Sequence, residues 1–171
     1  MIIGIDVDDT LVDSSESFEL LKKKYNIDFD KKFKEKFSRN EWKFICDNYL
    51  EEILKNAKLK KDVKEVLDYL VNKGYKLIII TARNNIYCKN IEEFTIDYIK
   101  RENLPISEFY FRKHKKSDIA KKLNLDLMID DSEFIYNNMK KENIDCILFG
   151  DKIKTWKEVL EYIKRKENIN G

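Results

Sequence analysis

Four sets of residues in this chain could do chemistry, and three of them stand directly after a short apolar run. Asp6, Asp8 and Asp9 follow Ile2-Ile3-Gly4-Ile5, Thr81, Ala82 and Arg83 follow the run 76–80, and Asp130, Asp131 and Ser132 follow the run 126–129. Lys115 and Lys116 precede the helical pattern that leads into the last of these. Carboxylates gathered at one point repel and raise each other's pKa unless a cation sits among them. Ligands that are all oxygen select a hard ion, and Mg²⁺ keeps waters and takes one or two carboxylates plus a substrate phosphate. A carboxylate can attack phosphorus. A threonine hydroxyl, the backbone amides after it and a lysine can hold the phosphoryl group. A second acid two residues on can protonate a leaving alcohol and later activate water. Acids after a strand also cap the next helix, and Asp130-Asp131-Ser132 taken alone reads equally well that way. Four sets converging on one rim carry the argument.

The elements that must position them read as alternating strands and helices. Apolar runs at 2–5, 76–80, 126–129 and 145–149, with a weaker one at 109–111, look like strands buried on both faces. Between them, Val63, Val66, Leu67, Leu70 and Val71 recur at helical spacing, as do Ile91, Phe94 and Tyr98, Ile119 with Leu123, Ile135 with Met139, and Trp156, Val159, Leu160 and Ile163. This alternation predicts an α/β fold with a central parallel sheet flanked by helices. Ligands of such sheets bind beyond the carboxyl ends of the strands. Residues 13–61 break the alternation and contain no convincing strand. Asp13 with Glu16 resembles a capping box, after which Phe18, Leu21 and Tyr25 share a face. Phe29, Phe33 and Phe37 follow, then Trp42, Phe44, Tyr49, Ile53 and Leu54. The segment reads as a small helical insertion, and its rings as the insertion's own core.

Composition bounds the rest. The 171 residues suit one domain, and 34 basic against 32 acidic residues leave a net charge of +2, which points to neither nucleic acid nor a membrane surface. Cys46, Cys88 and Cys146 form no CxxC pair and read as free thiols in a reducing compartment. No apolar run approaches the roughly 20 residues that span a bilayer, so a cytoplasmic location is expected. The single histidine, His114, leaves no material for a mechanism built on two histidines; with Arg112 and Lys113 it reads as a solvated basic loop.

Asp6-Val7-Asp8-Asp9-Thr10-Leu11 after an apolar strand resembles the first motif, DxDxT, of the haloacid dehalogenase (HAD) superfamily. Ile80-Thr81-Ala82-Arg83 is similar to its second motif, Lys116 to its third, and Met128-Ile129-Asp130-Asp131-Ser132 to its acidic fourth. The resemblance runs from residue 1 to about 149 outside the insertion, with the motifs in order. It implies a Rossmann-like sheet with the first strand central, a catalytic core of residues 1–12 and 62–171, and a small helical cap at 13–61. By position, Asp6 would be the nucleophile and a Mg²⁺ ligand, and Asp8 the general acid/base with its carbonyl on the metal. Thr81 and Lys116 would hold the phosphoryl group, helped by Asp9, Ala82 and Arg83. Asp130 and Asp131 would complete the metal site. Either Lys115 or Lys116 could reach the site; the run Lys-Ser-Asp-Ile-Ala aligns Lys116.

The resemblance implies a Mg²⁺-dependent phosphohydrolase acting on small phosphorylated metabolites, with no nucleic-acid or membrane partner. The second motif, the Asp-Asp-Ser motif and a short helical cap are similar to the 5′(3′)-deoxyribonucleotidase branch, which implies a nucleotide substrate. Asp9-Thr10 stands where that branch commonly carries Gly and an aliphatic residue. A sugar or other metabolite phosphatase is the alternative, and a noncatalytic phosphoryl-binding module the alternative of another class; the latter predicts loss of Asp6 or Asp8, and both are present.

Overall fold

A computed structural model of the chain describes residues 1–13, 15–25 and 38–170. In chain order the elements are β1 (Ile2–Ile5), β2 (Val12–Asp13), α1 (Ser15–Tyr25), α2 (Arg39–Asn56), β3 (Lys58–Leu59), α3 (Val63–Asn72), β4 (Lys76–Ile80), α4 (Ile91–Arg101), β5 (Glu108–Tyr110), α5 (Lys116–Lys122), β6 (Leu127–Asp130), α6 (Glu133–Lys141), β7 (Cys146–Leu148) and α7 (Trp156–Asn170). Five strands form one parallel sheet in the order β5-β4-β1-β6-β7. The expected α/β fold with its first strand central is therefore present. Ile3 sits level with Leu77 on one side and Leu127 on the other.

The two-residue period of a strand explains the two cores. Ile3, Ile5, Leu77, Ile79, Leu127 and Ile129 face α3 and α7, where Val66, Leu67, Leu70, Trp156, Val159 and Ile163 meet them. Ile78, Ile80 and Met128 face the other way, onto Ala120 of α5 and Ile135 and Met139 of α6. Gly4 lies on this second face. A Cβ there would come within 2.9 Å of Ile80 Cδ1 and 3.0 Å of Met128 Sδ, so any larger residue would force these side chains to shift.

The insertion is not free of strand. Val12–Asp13 pairs antiparallel with Lys58–Leu59, a ribbon too short to show as alternation, and it brackets α1 and α2. The Asp13 carboxylate accepts hydrogen bonds from the amide (3.0 Å) and hydroxyl (2.5 Å) of Ser15, as a helix start should. The reciprocal half of a capping box is replaced by an ion pair of Glu16 with Lys58 at 2.7 Å. Phe29, Phe33 and Phe37 lie outside the described residues, as do the side chains of Phe18, Leu21, Tyr25 and Trp42.

One expectation is overturned. Cys46 on α2 and Cys88 in the turn after β4 are joined as a disulfide, so only Cys146, buried in the sheet, is a free thiol. Leu50 and Leu54 of α2 pack on Ile91 and Phe94 of α4, which brings two Cα atoms separated by 42 positions to 5.2 Å. Wide spacing in sequence hid a contact made by packing, and the thiol argument for a reducing compartment falls with it. No helix among the described residues is long and apolar enough to cross a membrane.

Candidate active site

Asp6 is the first residue beyond the central strand, and its amide still donates to Ile129 O (3.0 Å). The chain then folds into a tight turn. Leu11 and Val12 amides both donate to Val7 O, and the Asp9 amide donates to Val12 O. Asp9 takes φ 56°, the left-handed region that Gly adopts freely and Asp tolerates. Under the turn, the indole of fully buried Trp156 donates to Thr10 O at 3.0 Å, so α7 props the loop after Asp6 from below. No motif pointed to Trp156, which read only as a core residue.

Lys116 lies at the start of α5 with its side chain almost wholly buried. Its Nζ donates to Asp6 Oδ1 at 2.5 Å and Asp130 Oδ2 at 2.7 Å. Lys115 instead pairs with Asp118 at 3.3 Å on the surface. Asp130, last residue of β6, also accepts the Ser132 amide at 2.9 Å. Thr81, buried beyond β4, accepts the Arg83 amide on its hydroxyl at 3.3 Å. Ala82 is partly exposed between them. Arg83, expected to bind substrate phosphate, is buried and gives its guanidinium to Asp8 and Thr95. In the basic loop, Arg112 pairs with Glu92 at 2.7 Å and the His114 ring meets Tyr87 edge-on.

The electrostatics explain what such a site asks for. Burial pushes the Asp6 carboxyl up to about 8; Lys116 opposes this, and Asp130 and Asp8 add to it. Burial works downward on Lys116, and Asp6 and Asp130 outweigh it, so the ammonium stays charged. Burial, then Asp130 and Asp9, push Asp131 up to about 6. Burial is the largest single influence on Asp8 and works upward, but the charge and hydrogen bonds of Arg83 together outweigh it and hold the carboxyl below its usual range. One lysine against this many acids leaves negative charge uncompensated. Asp6, Asp130 and Asp131 offer oxygens within 4.8 Å of one another, Asp131 being the most open. These oxygens suit a hard divalent cation such as Mg²⁺, which would take one or two of the carboxylates directly and meet the rest through water. Beside Asp9 and Asp131 a cleft of about 850 Å³ runs toward Lys60, Phe149 and Lys154.

No protein-family model matches the sequence, and no curated protein matches it. Solved structures do match in fold. A candidate β-phosphoglucomutase from Thermotoga maritima superposes with a TM-score of 0.67 at 14% identity, over 96% of this chain and 98% of that one. A HAD-superfamily hydrolase of subfamily IA from Geobacter sulfurreducens PCA gives 0.65 at 10% identity, covering 95% of each chain. A HAD-superfamily hydrolase from Ehrlichia chaffeensis gives 0.58 at 14%, covering 96% of each. The chain has the Rossmann-like fold of HAD-superfamily hydrolases, from end to end of those proteins.

Proposed function

We propose that this chain is a Mg²⁺-dependent phosphohydrolase of small phosphate monoesters in which Asp6 is the nucleophile. The observation that carries the reading is the placement of Asp6: a buried carboxylate at the carboxyl end of the central strand, bonded to Lys116, with Asp8 opening onto the same rim. An Asp6 oxygen attacks phosphorus, the bond from phosphorus to the leaving oxygen breaks, and that oxygen takes a proton from the protonated fraction of Asp8, which Arg83 keeps small by favouring the carboxylate. Water then attacks the aspartyl-phosphate and gives a proton to Asp8. Its oxygen bonds to phosphorus as the bond to Asp6 breaks, which restores the enzyme. Lys116 and Thr81 hold the phosphoryl oxygens, as does the Ala82 amide. Asp6, Asp130, Asp131 and the Asp8 carbonyl would hold the cation, which supplies charge neutralisation for the phosphoryl group.

The insertion at 13–61 is read as a cap that sets the leaving group. The leaving group proposed is a nucleoside, with nucleoside 5′-monophosphates, deoxy forms included, as substrates. Phe44, a half-exposed ring on α2 that meets Tyr49 edge-on, is the ring of the insertion proposed to stack on the base. Base–aromatic stacking contributes roughly 1–3 kcal/mol per base. A sugar phosphate is the second reading, favoured by the fold shared with the Thermotoga maritima protein. A panel of phosphorylated metabolites with Mg²⁺, below saturation, tests both. Turnover that EDTA stops and Asp6→Asn abolishes is expected, with nucleotides ahead. A sugar phosphate leading by tenfold overturns the nucleotide reading alone. Full activity in exhaustively chelated enzyme, or in a well-folded Asp6→Asn, overturns the chemistry.

A further inference from the structure

Arg83 is spent in an unexpected way. Its Nε donates to Asp8 Oδ2 at 3.0 Å and its Nη2 to Asp8 Oδ1 at 2.7 Å, a two-point fork that fixes the plane of the carboxylate. Its Nη1 donates to Thr95 Oγ1 at 2.7 Å, and the Thr95 hydroxyl donates to Ile91 O at 2.6 Å. The Arg83 carbonyl accepts the Arg112 amide at 3.0 Å. The guanidinium is 6% exposed, whereas the Asp8 side chain it holds is 57% exposed. Asp8 is therefore gripped from the protein side and open on the other, where substrate would arrive. The two buried cations of the site divide their work: Lys116 lies between Asp6 and Asp130, and Arg83 serves Asp8.

We propose that Arg83 is a positioning residue for Asp8, and that Thr95 on α4 fixes Arg83 in turn. The inference rests on the reading of Asp6 as nucleophile and Asp8 as proton donor. A proton donor must be within hydrogen-bond reach of the leaving oxygen, and displacing an aligned group by about 1 Å costs on the order of 10²-fold. A lysine would keep the charge without the fork. Charge alone is thus insufficient, and the shape of the guanidinium is what the site requires.

The test separates positioning from phosphate binding and from plain structure by leaving group. An aryl phosphate such as p-nitrophenyl phosphate departs with little help from an acid, whereas an alkyl phosphate depends on one. In the Mg²⁺-loaded full chain, Arg83→Lys and Arg83→Gln should lower kcat/KM, which reports the steps up to departure of the leaving group, at least tenfold more on the alkyl phosphate than on p-nitrophenyl phosphate. Thr95→Val should show the same preference more weakly, and it remains informative where the Arg83 variants fold poorly. Equal losses in kcat/KM on both substrates, including those that come from KM alone, overturn the proposal. Asp6→Asn should abolish both substrates equally; if it does not, the underlying reading fails separately. A crystal structure of Arg83→Gln reads position without turnover: an Asp8 carboxylate turned from its place is expected, and an unmoved one overturns the inference.

Discussion

Lys115 and Lys116 are one position apart, yet one is exposed beside Asp118 and the other buried between two acids. Lys116→Ala should lower kcat/KM on the best substrate of the panel by about 10²-fold or more, the scale of losing one aimed charge contact. Lys115→Ala should stay within about twofold, because an exposed pair contributes roughly 0–1 kcal/mol. Steady-state kinetics on both variants decide it, and the reverse ranking would contradict the assignment. Residue types at strand ends made Asp6, Thr81 and Asp130 legible before any coordinates, because a parallel sheet sends such residues to one rim. The Asp8–Arg83–Thr95 chain was not legible. Thr95 lies 12 positions beyond Arg83 on another element, and no spacing rule links a helix interior to the loop that carries Asp8.

Helix ends in this chain carry an unusual burden, since only four glycines are available. α4, α5 and α6 each end with an asparagine in the left-handed region: Asn103 at φ 53°, Asn124 at 50° and Asn143 at 56°. Each is followed by an apolar residue whose amide reaches back into the last turn, Leu104 to Ile99 O, Leu125 to Ala120 O and Ile144 to Met139 O. Gly74 does the same after α3, with Tyr75 bonded to Leu70 O. Asn143→Ala should destabilise the fold by about 1–2 kcal/mol, the strain of a Cβ in that region. Asn143→Gly should not. Urea denaturation of the two variants makes the comparison. In the central strand, Gly4→Ala should cost about 1–3 kcal/mol by overpacking Ile80 and Met128, again read from denaturation. Strand existence was readable from the apolar runs, including the short one at β5. The β2–β3 ribbon was not, because two residues cannot display alternation.

At the scale of the whole molecule, the Cys46–Cys88 bond ties α2 of the insertion to the turn that carries Arg83. Closing a loop of 42 positions is worth about 4 kcal/mol in the chain-entropy picture, and the figure depends on that model. Reduction should therefore lower Tm, and Cys46→Ser should reproduce the shift and make the protein indifferent to reductant. Calorimetry with and without reductant checks this; an unchanged Tm would show that packing of α2 on α4 suffices. Thiol pairing escaped the sequence because cysteine spacing says nothing about which helix packs on which turn.

The order of strands in the sheet differs from their order in the chain. β1 pairs with residues more than seventy and more than a hundred and twenty positions later, as the registers Ile3 with Leu77 and Ile3 with Leu127 show. A ribosome therefore makes the strand leading into Asp6 well before either neighbour that will cover it. Until β6 has emerged, Ile3 and Ile5 have no second edge to pair with, and the Lys116 that will join Asp6 to Asp130 has only one of its two acids. Contacts this distant in sequence form late and leave apolar strand exposed in the meantime. Interrupted synthesis anywhere before residue 130 should yield chains with no assembled site, a natural substrate for chaperones and proteases rather than a partly active enzyme.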